Sequence, residues 1–174
     1  MTRTGIDPVT LQVLANALRG VAEEMEAALV RAAFSPNIKE RRDCSTELFD
    51  GAGRMLVQAA AIPVHLGAMP ESVAAVRARG ARPGEVWLLN DPYRGGTHLP
   101  DLTMVSPIAA GGRVIAHAVT RAHHADVGGM APGSMPAGSR ELVQEGVVLP
   151  PVRLVADGAV VEDVRAIVLA NSRT

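Results

Sequence analysis

The sequence predicts an α+β fold with a long N-terminal helix, a β-hairpin and a mixed sheet with short helices. Three observations carry this. Leu11, Leu14, Leu18, Val21, Met25 and Leu29 recur every three or four residues, the period of one helix face. Residues 113–124 alternate by two instead, as a strand does. The elements come in the order helix, hairpin, helix, strands, which suits a layered α+β architecture better than regular βαβ winding. With 174 residues the chain has the length of one domain, taken here as 1–174.

Each element has its own signal. Asp7-Pro8 offers an N-cap followed by proline at the first helical position, and Ser35 before Pro36 is biased away from helical geometry. The first helix is therefore expected from Asp7 to about Ala33, followed by a charged loop, "NIKERRD", at 37–43. "STELF" and "RMLVQA" flank "DGAG" at 50–53, which supplies tight-turn residues for a hairpin. "MPESVAAVRARG" reads as a short helix ending at Gly80, "ARPGE" as a turn, and "VWLLN" at 86–90 as a buried strand. "LTMVSPIA" and "RVIAHAVTRAHH" read as two strands joined through "AGG" at 110–112. From Gly128 to Pro151, Gly, Pro and Ser predict irregular loop, and "VEDVRAIVLANSRT" predicts a helix reaching the last residue.

Composition excludes several classes. Hydrophobic residues at 48% and charged residues at 20% describe a globular chain rather than a disordered one. A net charge of −1, with Lys and Arg scattered, provides nothing to attract nucleic acid or an anionic membrane. One cysteine, Cys44, rules out an internal disulfide. With no signal-peptide core and no long apolar run, a cytoplasmic protein is expected. Aromatics make up only 2% while alanine is abundant, which fits a coding bias toward alanine or, as the second reading, a core completed by something outside this chain.

Chemistry concentrates in two glycine-flanked loops. "GGTHLPD" at 95–101 holds His98 and Asp101, and "RAHHADVGG" at 121–129 holds His123, His124 and Asp126. Pro100 pushes Leu99 toward extended geometry, while Gly95 and Gly96 permit unusual backbone angles, so a loop can turn an imidazole and a carboxylate inward together. His98, Asp101 and one of the pair His123/His124 then make three ligands for Zn, Mn or Fe(II), with positions left open as in a catalytic site. Strand alternation points His123 and His124 to opposite faces, and the spacing alone does not choose between them. The remaining histidine and Asp126 are candidates for partners holding a ligand tautomer. His117 shares a face with His123 but lies about 20 Å along the strand. His65 in "IPVHLGAMP" is expected in the core or at a cap, Cys44 as a buried structural thiol, "KERR" as a solvated loop, and Asn90-Asp91 as turn caps. No GxxxxGK[ST] run is present, so no P-loop is expected in this chain.

"DPVTLQVLANAL", "AAFSPNIKERRDCS", "IPVHLGAMP", "LNDPYRGGTHLPD", "RAHHADVGGMAPGSMP" and "LANSRT" together closely resemble the hydantoinase B/oxoprolinase family. The family includes N-methylhydantoinase subunits, one half of 5-oxoprolinases, and subunits of acetone and acetophenone carboxylases. The resemblance implies a subunit of an ATP-dependent hydrolase acting on cyclic amides. ATP and Mg would sit on a hydantoinase A-type partner. It further implies a divalent metal, Mn favoured over Zn or Fe, held by a His-x-x-Asp pair and a later histidine, which fall on His98, Asp101 and His123. Arg121 and the backbone at Gly95 and Gly96 are then candidates for positioning an anion. Family members run about three times longer, so the chain corresponds to an N-terminal portion, inactive without the remainder and its partner. A ketone carboxylase-type subunit and a non-catalytic remnant are the alternatives. A stand-alone metallohydrolase ranks behind them.

Overall fold

The computed structural model describes residues 5–60, 62, 65 and 67–173. Helix α1 spans Pro8–Ala32, and its Asp7 cap accepts from the amides of Val9 and Thr10 at 3.0 Å each. The short helix α2, Pro36–Lys39, follows with Ser35 as its cap, inside the segment that composition marked as a loop. Strands β1 (Cys44–Asp50) and β2 (Met55–Ala60) form the expected hairpin, closed by Asp50, whose carboxylate accepts from the amides of Ala52 and Arg54. Helix α3 is Met69–Ala78 and β3 is Val86–Leu89. The long hairpin β4 (Asp101–Ala110) and β5 (Arg113–His123) turns at Gly111-Gly112, both with positive φ. A further hairpin, β6 (Val152–Ala156) and β7 (Ala159–Val160), precedes helix α4, Glu162–Asn171.

These strands make one seven-stranded sheet in the order β2-β1-β5-β4-β3-β6-β7. The class is α+β, as the sequence predicts. The sheet itself is antiparallel at every pairing, not mixed, because hairpins and short returns supply all the neighbours. Two other expectations change. The terminal helix stops at Asn171, since Ser172 turns to extended geometry (ψ 141°); Thr174 lies outside the described residues. The β6–β7 hairpin had no assignment from sequence, because its strands are short and only partly buried.

The sheet has two unlike faces. On one, Phe49, Val105 and Val119 pack with Trp87 and Leu89 under Met69, Val73 and Val76 of α3. Burying each such side chain contributes about 1.5–3 kcal/mol, and this cluster is the centre of the core. The other face is only partly covered. Leu29 and Val30 of α1 close over Cys44 and Ala122, but Val9, Leu11, Val13, Leu14 and Val21 remain exposed, and Ala22 is the helix's buried residue. A compact 18.1 kDa monomer exposes on the order of 8,000 Å², whereas this chain exposes 10215 Å². The apolar stripe of α1 is one contributor to that surplus.

Candidate metal centre

Register brings the two histidine-bearing loops together. Asp101 is the first residue of β4, and its partner across the ladder is His123, the last residue of β5. Residues directly opposite on antiparallel strands point to the same face, so carboxylate and imidazole meet. His98 arrives from the preceding turn, where the Asp101 amide donates to the His98 carbonyl at 3.0 Å and the His124 amide donates to the Pro100 carbonyl at 2.8 Å. One ligand atom from each of His98, Asp101 and His123 lies within 4.8 Å of the others. The His98 and His123 rings are tilted, with centroids 4.9 Å apart.

Asp101 is the hub. Its Oδ2 lies 2.9 Å from His98 Nδ1 and accepts from the Thr97 hydroxyl at 2.6 Å, while Oδ1 lies 3.3 Å from His123 Nδ1. The residue is 2% exposed and Oδ1 has no hydrogen-bond partner. Burial alone would raise its pKa, but the facing imidazoles of His123, His65 and His98 and the Thr97 hydroxyl outweigh it and hold the carboxyl far below the usual range. His123 is shifted the other way, upward, first by its bond to Asp101 and against its own burial. A buried carboxylate with one oxygen free of hydrogen bonds, beside two imidazoles, is the donor set that a borderline divalent cation takes.

Two residues join the site that the sequence reading placed elsewhere. The Asp43 carbonyl accepts from the His123 amide at 3.0 Å. Its carboxylate lies 3.9 Å from His123 Nδ1 and 3.8 Å from His65 Nε2. His65 is 1% exposed, as expected of a core histidine, yet its Nε2 points at Asp101 Oδ2, 3.4 Å away. The missed signal for Asp43 is its position just before β1, the strand paired with β5.

The other candidates occupy different places. His124 lines an apolar groove on the opposite face, where burial and then the neighbouring His123 lower its pKa. Asp126 accepts from the amides of Gly128 (2.7 Å) and Gly133 (2.9 Å) and pairs with Arg173 (3.0 Å). Burial alone would raise it, but these bonds hold it at about 2. Its carboxylate is thus spent on shaping its own loop, not on a ligand imidazole. Arg121 is fully buried, with Nε donating to Thr103 Oγ1 at 2.8 Å and Nη2 to Ser72 Oγ at 2.9 Å and the Gly95 carbonyl at 3.3 Å. Through Nε and Nη2 it braces the glycine loop, while its buried Nη1 has no hydrogen-bond partner. Gly95 has φ 98° and Gly96 packs against Asn90, so both serve close approach of backbone to backbone. His117 is far along β5, bonded to the Asp50 carbonyl at 3.2 Å. Asn90 does more than cap a turn. It donates to the Leu99 and Val147 carbonyls and accepts from the Leu149 amide, tying the irregular 128–151 segment to the metal loop.

The chain belongs to the hydantoinase B/oxoprolinase family, whose profile matches residues 7–174. It is 40% identical over 158 residues to a 5-oxoprolinase of Dictyostelium discoideum, covering 89% of this chain and 12% of that protein. The caprolactamase subunit beta of Pseudomonas jessenii is 33% identical over 171 residues, 97% of this chain and 29% of that subunit. The crystal structure of the ATP-dependent caprolactamase from that organism superposes with a TM-score of 0.84 at 32% identity, over 98% of this chain and 30% of that one. The nucleotide-free structure of an acetone carboxylase has the same fold, with a TM-score of 0.89 at 22% identity over 97% of this chain and 23% of that chain. The chain thus spans less than a third of each of these relatives. Among the described residues, no helix is long and apolar enough to cross a membrane.

Proposed function

We propose that this chain is the metal-bearing N-terminal part of a hydantoinase B-type subunit. It would work with a hydantoinase A-type, ATP-binding subunit on the hydrolysis of a cyclic amide. The observation that carries the reading is the convergence of His98, Asp101 and His123 around the unpartnered Asp101 Oδ1. Imidazole and carboxylate together suit Mn, Zn or Fe(II). Asp43, whose carboxylate lies 3.9 Å from His123 Nδ1, is a candidate to add a further carboxylate.

A divalent cation held there supplies Lewis acidity toward a carbonyl or a developing oxyanion. The chain's own residues bind and orient. Asp101 stays ionised across the physiological range, so it offers charge without waiting for a proton to leave. Thr97 occupies the second face of Oδ2 and limits rotation of the carboxylate. His98, whose side chain is 40% exposed, forms the open side by which a small molecule can approach, whereas Asp101 and His123 form the closed wall.

Support for a partner comes from the surface. The exposed stripe of α1 and a groove of about 840 Å³ between α1, α4 and the sheet present apolar area that a monomer does not leave to water. The test combines the chain with an A-type subunit and measures ATP-dependent opening of hydantoin, 5-oxoproline and caprolactam rings. Ring opening that requires both chains and is lost in Asp101→Asn supports the reading. ATP hydrolysis by this chain alone contradicts it, and ATP-dependent carboxylation of a ketone would move the chain to the carboxylase branch.

A further inference from the structure

We infer that His65 is a positioning residue for the metal-binding carboxylate, and that Ser45 sets its tautomer. This rests on the metal reading of the His98–Asp101–His123 site given above. Three observations place His65 in this role. It is 1% exposed, on the turn that leads into α3. Its Nδ1 lies 3.0 Å from Ser45 Oγ, itself fully buried on β1. Its Nε2 has no hydrogen-bond partner and stands 3.4 Å from Asp101 Oδ2.

The chemistry fixes the proton. An ionised carboxylate only accepts, so the ring nitrogen facing Asp101 must carry the hydrogen. Nδ1 is then the acceptor, and the Ser45 hydroxyl donates to it. An imidazole in this tautomer is held at both ends, by a strand residue and by the carboxylate. The 3.4 Å separation is longer than a good N–H···O bond. It leaves the contact free to shorten as Asp101 turns Oδ1 toward a cation. Thr97 by O–H and His65 by N–H would then both engage Oδ2, beside His98 Nδ1 at 2.9 Å, and Oδ1 would be the oxygen left to hold a cation. Removing such a partner costs metal affinity rather than metal chemistry, typically about 10- to 100-fold.

The test measures Zn²⁺ affinity of the purified, metal-stripped chain by competition with a chromophoric chelator. The variants are His65→Ala, His65→Gln, Ser45→Ala and, as a control for loss of a buried histidine, His117→Ala. The inference predicts affinity about 10- to 100-fold weaker in His65→Ala and several-fold weaker in Ser45→Ala. It predicts near-normal affinity in His65→Gln, whose amide can still donate to Oδ2. His117→Ala should lose thermal stability and keep its Zn²⁺ affinity, separating a structural role from positioning. A His65→Ala chain that binds Zn²⁺ within twofold of wild type overturns the inference and leaves the metal site standing. Should His65→Ala fail to fold, Ser45→Ala decides, and wild-type affinity there overturns the relay. Wild-type chain that binds no Zn²⁺ removes the metal reading and this inference together.

Discussion

Asp101 and His123 face each other across the β4–β5 ladder, the first residue of one strand against the last of the next. The site therefore depends on strand register as much as on residue identity. A slip of one residue would turn every side chain of β5 to the other face, exchanging His123 for His124 and dispersing the cluster. Arg121 and Thr103, the next pair facing the same way, are bonded at 2.8 Å and lock that register two residues into the sheet.

The glycine loop should be intolerant of a single methyl group. A Cβ on Gly96 would stand 2.2 Å from the Asn90 carbonyl oxygen and 2.8 Å from that of Asp91, both backbone atoms that cannot step aside. Gly96→Ala is predicted to cost about 1–3 kcal/mol, lowering Tm by about 2–12 °C for a chain of this size. Gly138→Ala, where nothing lies within 4 Å, is the control and should melt like wild type. Differential scanning calorimetry distinguishes them.

Glu47 should make stability fall as pH rises. It is fully buried with neither carboxylate oxygen bonded, and burial pushes its pKa up to about 7 against the opposing charge of Arg121. Between the usual carboxylate pKa and about 7 the unfolded chain has lost this proton while the folded chain keeps it. The unfolded state then binds fewer protons, so stability declines through that window and is level above it. The loss is on the order of a few kcal/mol. Glu47→Gln mimics the protonated group and should flatten this part of the profile, gaining stability over wild type at pH 8 but not at pH 4. Urea denaturation at both pH values checks it, and a Gln variant weaker than wild type at pH 8 argues against a neutral Glu47.

Cys44 should be inert while the chain is folded. It is fully buried between Ile38 and Ala122, and burial, with Glu26 and Asp43 nearby, pushes its thiol up to about 11. Thiolate is the reacting form, so a thiol reagent at pH 8 should label the native chain orders of magnitude more slowly than the denatured one. Rapid labelling of the native chain would mean that α1 and α2 do not close over this strand.

Much of this site was legible because its signals are local. The Asp7-Pro8 cap, the Gly-flanked His-x-x-Asp turn and the period-two alternation of 113–123 each specify their own geometry, and all three are found. The residues missed act at a distance. His65 and Ser45 are twenty positions apart, and neither neighbours Asp101 in sequence, so only the β1–β5 pairing and the turn before α3 bring them together. Arg121 is a candidate for holding an anion on resemblance, and nothing near it in sequence tells that Ser72 and Gly95 take up its Nη2. The exposed stripe on α1 shows the same limit. A helical period reports an apolar face, not whether this chain supplies the element that covers it.

The central claim is that one cation binds between the two loops, and metal stoichiometry tests it most directly. Plasma-emission analysis of purified chain should find about one Mn, Zn or Fe per wild-type polypeptide. His98→Ala and Asp101→Asn should hold almost none, and His117→Ala should hold the wild-type amount. Wild-type chain without metal after reconstitution, or Asp101→Asn chain that retains a full equivalent, would contradict the account.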